Sequence, residues 1–324
     1  MGKIAIITGI SGQDGLFLAS NYLTKKNYKI FGVTRAQNNQ KIVNNIKKIS
    51  GLNKFELHLD NIDLQNKDLV REYVEKIKPT TVINLSGPSS VTKSLVNKEL
   101  KDNILSIFDN LINAVLFSNE EAVFIQPGSS EMFSSHGTEK LTEVSPMNPE
   151  SPYAEAKYEI YNTLIEHREQ KGLKVINTIL FNHESEYRKE DYLFPKIISA
   201  THNISKKKQN SLKVGSLEMI RDWSFAGDIV DAVELILEKK IYEEFVIGSG
   251  VGTSIEDVIS YVFKYFELDY KKYVEVDPGL LRENSPMSIV SNPSKIVGLG
   301  WKANYNIEML LDRCISYKIN STTP

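Results

Sequence analysis

Residues 3–15 read KIAIITGISGQDG: the β-branched run Lys3–Thr8 enters Gly9-Ile10-Ser11-Gly12-Gln13-Asp14-Gly15, and a helical pattern, Leu16–Lys25, follows at once. The glycines stand as Gly-x-x-Gly-x-x-Gly, one residue wider at the front than the common Gly-x-Gly-x-x-Gly. Glycine permits a tight strand-to-helix turn and lets a pyrophosphate approach the N–H groups at the helix start. Turns collect glycine for steric reasons alone, so the motif is weak in isolation. Directly after a first strand and before a helix it predicts dinucleotide binding, with Gly9, Ser11, Gly12, Gln13, Asp14 and Gly15 as the contacts.

Further along, short apolar runs alternate with longer amphipathic stretches. The strand candidates are Lys3–Thr8, Lys29–Thr34, Phe55–Leu59, Thr81–Leu85, Ala122–Gln126 and Lys174–Phe181. Their near-continuous apolar character suits strands buried on both faces. Helical patterns lie between them at Leu16–Lys25, Gln40–Ile49, Asn66–Ile77, Leu100–Phe117 and Tyr153–Gln170. This alternation predicts an α/β fold built on a doubly wound parallel, or Rossmann, sheet. After Asn182 the pattern breaks up: a helix from Phe194, a short segment ending at Gly215, a helix over Asp228–Glu238, a strand at Glu244–Ile247 and a helix at Ser254–Phe266. We read a smaller lobe interleaved with the first. The expected division is 1–184 with 224–252 and 303–318 for the dinucleotide domain, and 185–223 with 253–302 for the second lobe. The cleft between lobes is then the default binding site.

Composition narrows the class. The 324 residues carry a formal net charge of -2, with 41% hydrophobic and 25% charged residues, so neither nucleic acid nor an anionic membrane is an expected partner. Lys206-Lys207-Lys208 reads as a solvated loop. The single cysteine, Cys314, excludes an internal disulfide and fits a reducing cytoplasm. It falls in a helical pattern, Ile307–Tyr317, as a buried structural thiol. No apolar run is long enough to span a membrane, no signal peptide precedes the first strand, and no His/Asp/Glu cluster has metal-ligand spacing.

The second strand ends at Thr34-Arg35, where an enzyme using NAD carries an acidic residue for the ribose hydroxyls. Arg35 would instead pair with a 2′-phosphate, which makes NADP the expected cofactor. Asp63 and Leu64 after the third strand would flank the adenine. Leu85, Ser86 and Gly87 after the fourth would line the path to the nicotinamide. Downstream, Tyr153 and Lys157 stand at i and i+4 in a helix that opens after Ser151-Pro152 and so share a face. An ammonium beside a phenol lowers its pKa, so that it can take a hydroxyl proton near neutral pH. The fifth strand ends in Pro127-Gly128-Ser129-Ser130-Glu131, and a doubly wound sheet brings that end, too, to the cofactor.

The loop Thr8–Gly15, the Ser129 region and Tyr153/Lys157 resemble the extended short-chain dehydrogenase/reductases. Within them, Ser129-Ser130-Glu131, Ser151-Pro152-Tyr153-Ala154, Leu180-Phe181-Asn182-His183-Glu184-Ser185, Arg221-Asp222-Trp223 and Gly300-Trp301-Lys302 are similar to the GDP-mannose 4,6-dehydratase family over nearly the whole chain. The resemblance implies a GDP-linked sugar oxidised at C4, dehydrated across C5 and C6 and reduced at C6, with no net redox change. It implies Tyr153 and Lys157 as the base pair at C4, Ser129 as a hydrogen-bond partner of the C4 oxygen, and Glu131 as the base at C5. Asn182, Arg221 and Arg282 would hold the diphosphate, with Ser90, Ser130, Lys196 and Gly215 also on the substrate side. His183 and Arg188 would sit near the cofactor.

The chain departs from the family's pattern in three places. The usual Ala-Ala-Gln-Ser-His-Val is Ser86-Gly87-Pro88-Ser89-Ser90-Val91, which lacks the Gln and His side chains near the sugar. The proline and paired arginines after Asn-His-Glu-Ser are Glu186-Tyr187-Arg188-Lys189. The Arg-rich stretch after the second strand is Gln37-Asn38-Asn39-Gln40. These leave GDP-mannose as the default and GDP-N-acetylglucosamine or a GDP-heptose as other sugars. Rival readings are a nucleotide-sugar 4-epimerase or 4-reductase, and a non-catalytic NADP-binding protein. A homodimer is expected through a four-helix bundle of Leu100–Phe117 and Tyr153–Gln170, which carry apolar residues on more than one face (Leu105, Ile107, Leu111, Ala114, Val115; Ile160, Leu164, Ile165). The family's tetramer is the larger alternative.

Overall fold

The computed structural model of the chain describes residues 3–26, 28–97, 99–133, 139–281 and 286–322. In chain order the elements are β1 (Lys3–Thr8), α1 (Gln13–Asn21), β2 (Tyr28–Val33), α2 (Asn39–Ser50), β3 (Leu57–Asp60), α3 (Lys67–Ile77), β4 (Thr81–Asn84), α4 (Val91–Val96), α5 (Glu99–Ser118) and β5 (Val123–Pro127). There follow α6 (Pro152–Lys171), β6 (Val175–Leu180), β7 (Asn182–Glu184), α7 (Leu193–Ser205), β8 (Leu212–Val214), β9 (Ile220–Phe225), α8 (Ala226–Lys239) and β10 (Glu244–Ile247). The last are β11 (Gly252–Ser254), α9 (Ile255–Tyr265), β12 (Val274–Val276), β13 (Ser288–Ile289), α10 (Ser294–Gly298) and α11 (Ile307–Thr322).

Seven strands form one sheet in the order β3-β2-β1-β4-β5-β6-β10. The pairings from β3 across to β6 are all parallel. The expected doubly wound sheet is therefore present. Its order reverses between β1 and β4, and the crevice at the carboxyl ends of those strands is where such sheets bind nucleotides. β1 and β4 are fully buried along most of their length because helices cover both faces. One of those layers is α3, α5 and α6, which send Val70, Val74, Phe108, Leu111, Ile112, Ile160 and Leu164 into a common core with Val82 and Phe124. Phe108 meets Phe124 edge-on at 6.1 Å. Each such side chain contributes roughly 1.5–3 kcal/mol by leaving water, so the sheet ends are held on a stiff base.

The chain forms two compact units, one of residues 1–133, 146–180 and 230–245, the other of 134–145, 181–229 and 246–324. The second unit has its own sheet, β11-β9-β13 with β7 beside β9, and a two-stranded pair, β12-β8. Helices α7, α9 and α11 pack against one another there. Its pivot is Asp222, 0% exposed in β9. That carboxylate accepts from the N–H groups of Ser249 (2.8 Å), Gly250 (3.0 Å) and Ser291 (3.1 Å) and from the hydroxyls of Ser249 and Ser291. A Cβ on Gly248 would lie 2.8 Å from its Oδ2, so only glycine lets the chain pass this close.

Candidate active site

The strand-to-helix turn is built by steric necessity. Gly9 has φ +68°, and a Cβ on it would lie 2.5 Å from the Leu85 carbonyl oxygen. A Cβ on Gly15 would lie 2.5 Å from Ile10 Cα, so this glycine lets α1 settle onto the turn. Gly12 caps α1 and brings no side-chain hydrogen bond to its N-terminus. A turn this low, ending on an uncapped helix start, fits a dinucleotide pyrophosphate. Thr34 Oγ1 donates to Ser11 Oγ at 3.2 Å and ties the turn to the end of β2, where Arg35 is exposed to solvent. Asp63 is also exposed, and its carboxylate takes the Gln65 N–H at 3.0 Å. Leu64 is buried in the core, with its carbonyl held by Asn110. Leu85, Ser86 and Gly87 are half-buried beside the turn, with Gly87 at φ +122°.

The candidate catalytic groups come from β5's end and from α6. Ser151 caps α6 by accepting the Ala154 N–H at 3.1 Å, and Pro152 occupies the first turn, where its missing N–H is no loss. The Tyr153 N–H donates instead to Ser94 Oγ of α4 at 3.3 Å. Tyr153 is buried, and Lys157 one turn later holds its ammonium 5.9 Å from the Tyr153 ring. Lys157 Nζ donates to the Pro127 carbonyl at 2.9 Å. Loss of water around it pulls the ammonium down to about 8. A short turn, Ser130–Met132, follows β5 and packs against α6. Ser129 caps that turn by accepting the Glu131 N–H at 3.2 Å, which leaves its own O–H proton to donate elsewhere. Ser129 and Ser130 are buried and Glu131 is half-buried. Ser90 accepts the Lys93 N–H and caps α4.

In the second unit, β7 carries Asn182 and His183 alongside Trp223 and Ser224 of β9. His183 Nδ1 lies 2.8 Å from the Phe181 carbonyl, which can only accept, so that nitrogen carries the proton. Arg188 stacks on the Tyr192 ring at 3.7 Å and faces Glu184 at 3.6 Å. Arg221 is buried and donates to the Ile220 carbonyl. Lys196 is exposed and reaches the Lys213 carbonyl. Gly215 runs against the Leu280–Leu281 backbone, where a Cβ would sit 3.1 Å away. Arg282 lies outside the described residues. Sequence reasoning missed Ser94, Asn84, Gln126 and Pro127, whose partners are 30 to 76 residues away. Ser94, Asn84 and Gln126 signal themselves only as polar residues where a buried strand or helix is expected to be apolar, and Pro127, which acts through its backbone carbonyl, gives no such signal.

Among the described residues no group of three or more His, Cys, Asp or Glu side chains could hold a metal, and no helix is long and apolar enough to cross a membrane.

Solved structures share this architecture. A dTDP-glucose 4,6-dehydratase from Bacillus anthracis superposes with a TM-score of 0.83 over 98% of this chain and 97% of its own, at 20% identity. A UDP-N-acetylglucosamine 4-epimerase from Methanobrevibacter ruminantium gives 0.85 over 99% of each chain, also at 20% identity. At such identities the likeness establishes the fold and leaves open which chemistry it carries. Sequence comparison decides the family. GDP-mannose 4,6 dehydratase 2 of Arabidopsis thaliana is 33% identical over 95% of this chain and 85% of its own length. The GDP-mannose 4,6-dehydratase of Vibrio cholerae is 31% identical over 95% of this chain and 91% of its own. The profile described as GDP-mannose 4,6 dehydratase matches residues 6–314, a span that takes in the glycine turn, the Ser129–Glu131 turn and the Tyr153/Lys157 helix, and so this chain belongs to that family.

Proposed function

We propose that the protein is an NADP-dependent hydro-lyase that converts GDP-mannose to its 4-keto-6-deoxy derivative. The observation that carries this reading is the meeting of α6, with Tyr153 and Lys157, and the turn that follows Ser129 in the compact unit that also carries the glycine turn. NADP, when bound, supplies a reversible acceptor for the hydrogen at C4 that is given back at C6. Gly9, Gly12 and Gly15 would hold its pyrophosphate and Arg35 its 2′-phosphate. Tyr153 takes the proton of the C4 hydroxyl, helped by the positive charge of Lys157. Ser129, its oxygen already engaged by the Glu131 N–H, donates its proton toward the C4 oxygen. The 4-ketone acidifies the C5 hydrogen, which the Glu131 carboxylate removes. The same carboxyl then returns that proton to the departing C6 hydroxyl, so one water leaves and Glu131 is again ionised. Reduction at C6 leaves an enolate that takes one proton at C5, matching the proton Tyr153 gained from the C4 hydroxyl and gives up, so both groups end as they began.

Asn182 and Arg221 on the paired strands β7 and β9 serve the diphosphate in this reading, and the second unit is the nucleotide-sugar lobe. The cytoplasm, where nucleotide sugars are made, is the setting. The protein works as a dimer through α5 and α6, although six of the eight apolar residues that suggest it are committed to the chain's own core. Ile107, Leu111, Ala114, Val115, Ile160 and Leu164 are buried there and Leu105 packs partly against the same core, which leaves Ile165 half-buried for a partner. Light scattering at micromolar concentration that reads a monomer removes the dimer.

The activity is tested by incubating the protein with GDP-mannose and a panel of other GDP-, UDP- and dTDP-sugars and reading product masses. Loss of one water from GDP-mannose is expected. Turnover at unchanged mass would establish an epimerase instead, and no turnover of any sugar would return the non-catalytic reading.

A further inference from the structure

Thr8, Asn84 and Gln126 lie on β1, β4 and β5 at the carboxyl edge of the sheet and are 0%, 3% and 1% exposed. Thr8 and Asn84 are register partners, and Gln126 follows on the next strand. Their side chains join hand to hand. Thr8 Oγ1 donates to Asn84 Oδ1 at 2.8 Å, and Asn84 Nδ2 donates to Gln126 Oε1 at 2.8 Å. Gln126 Nε2 donates to the Pro127 carbonyl at 3.1 Å, the oxygen that also receives Lys157 Nζ at 2.9 Å. At the far end the Ser86 N–H reaches Thr8 Oγ1 at 3.2 Å and Asn84 Oδ1 at 3.3 Å.

The polarity of this ladder is dictated from both ends. A backbone N–H can only donate and a carbonyl can only accept. Turning Gln126 over would set its oxygen against the Pro127 oxygen. Turning Asn84 over would set its NH₂ against the Ser86 N–H. In a buried setting either arrangement leaves polar groups unpaired, which is costly. Among the described residues the Pro127 carbonyl is the only hydrogen-bond acceptor of the Lys157 ammonium, and the carbonyl is itself gripped by the ladder.

We propose that Gln126 is a positioning residue for Lys157: the Thr8–Asn84–Gln126 ladder fixes the Pro127 carbonyl where it holds the ammonium beside Tyr153. The proposal rests on placing Lys157 in the catalytic pair, but its test reads the amine itself. Lys157 is titrated by competitive acetylation across pH in the full-length, cofactor-free protein, with the modified peptide followed by mass spectrometry. In the unmutated protein it should titrate at about 8. In Gln126→Met the released carbonyl swings away and the charged form loses its acceptor, so the value should fall by about one pH unit. An unchanged value overturns the proposal. A raised one also does, because it would mean that the amide competes with the ammonium for the carbonyl. If Gln126→Met does not fold, the unmutated protein still decides. The side-chain NH₂ of Gln126, seen by NMR after selective glutamine labelling, should exchange slowly with solvent, and exchange as fast as in a free glutamine refutes the ladder. A failure to dehydrate any sugar would leave both results standing.

Discussion

Replacing Lys157 with methionine should abolish activity and yet make the protein more stable at neutral pH. A lysine in the unfolded chain titrates near 10.5, whereas Lys157 titrates at about 8 because the fold takes water from its ammonium. At 1.36 kcal/mol per pH unit that gap is a folding penalty of roughly 3 kcal/mol while both states are charged. Lys157 is only part-buried, and methionine also gives up the hydrogen bond to the Pro127 carbonyl, worth about 1 kcal/mol. Gln126 still holds that carbonyl in the variant, so no buried acceptor is orphaned. A net gain of about 2 kcal/mol remains, or roughly 3 °C in melting temperature for a chain of this size. The pH dependence gives the cause away. Below pH 8 the penalty is fully present. Between about 8 and 10.5 the folded protein has released the proton that the unfolded chain still binds, so unmutated stability rises and the advantage of Lys157→Met shrinks. Above 10.5 the ionisation contributes nothing. Calorimetric melts of both proteins without cofactor, from pH 7 to 10.5, make the comparison, and all other titrating groups cancel. A variant that melts at or below the unmutated protein at pH 7, or keeps a constant advantage across the range, refutes the reasoning.

Tyr153→Phe and Glu131→Gln should fail at different steps. The first should give neither keto product nor reduced nicotinamide. The second should let reduced nicotinamide absorbance accumulate without loss of water, each losing roughly 10²–10⁴-fold in turnover; a Glu131→Gln enzyme near normal rate would return the epimerase reading. Arg35→Ala should narrow the preference for NADP over NAD by about ten-fold, the value of one charge-assisted phosphate contact, and titration calorimetry showing no preference in the unmutated protein would remove the assignment. Asp222→Ala strips one acceptor from three backbone N–H groups and two hydroxyls. It should cost roughly 3–5 kcal/mol in urea unfolding, and a loss below about 1 kcal/mol would show that water replaces the carboxylate at little cost.

The fold was legible because its first unit obeys simple periodicities. The apolar runs at β1, β4 and β5 and the amphipathic stretches between them announce a parallel sheet, and the glycines of Gly9–Gly15 mark its nucleotide end. Tyr153 and Lys157 were legible because one helical turn fixes their neighbourhood. The second unit was harder, because β7, β8, β11 and β12 have three residues each, too few for an alternation to stand out. α4 is six residues long, too short for a helical pattern to register. Helix α1 ends at Asn21 and gives way to a π-helical turn, Tyr22–Lys26, where the pattern had read as one helix to Lys25. The ladder through Asn84 and Gln126 was invisible, since a polar residue in a strand pattern does not say which neighbouring strand supplies its partner. The surplus apolar residues of α5 and α6 misled for a related reason. Periodicity says which positions are apolar, but not whether a neighbouring helix or a second subunit covers them. Here α3 and the sheet take most of them.

The three stretches that depart from the family's pattern have one property in common: each supplies a residue that completes the chain's own structure. Asn38, in the segment that replaces the Arg-rich stretch, accepts the Lys41 N–H at 3.0 Å and caps α2. Glu186, where the family has proline and arginines, takes both ends of the Arg313 guanidinium at 2.8 and 2.6 Å and fastens α11. Ser90, at the family's histidine, caps α4, the helix whose Ser94 receives the Tyr153 N–H and donates in turn to the Val91 carbonyl at 2.7 Å. Residues of this kind orient the backbone on which the neighbouring side chains stand. Ser90 bears on Tyr153 through α4: it caps the helix whose Ser94 receives the Tyr153 N–H, and the Ser151 cap holds the start of α6 besides. Divergence at these places therefore leaves in place the caps and the ion pair that support α2, α4 with Tyr153, and α11.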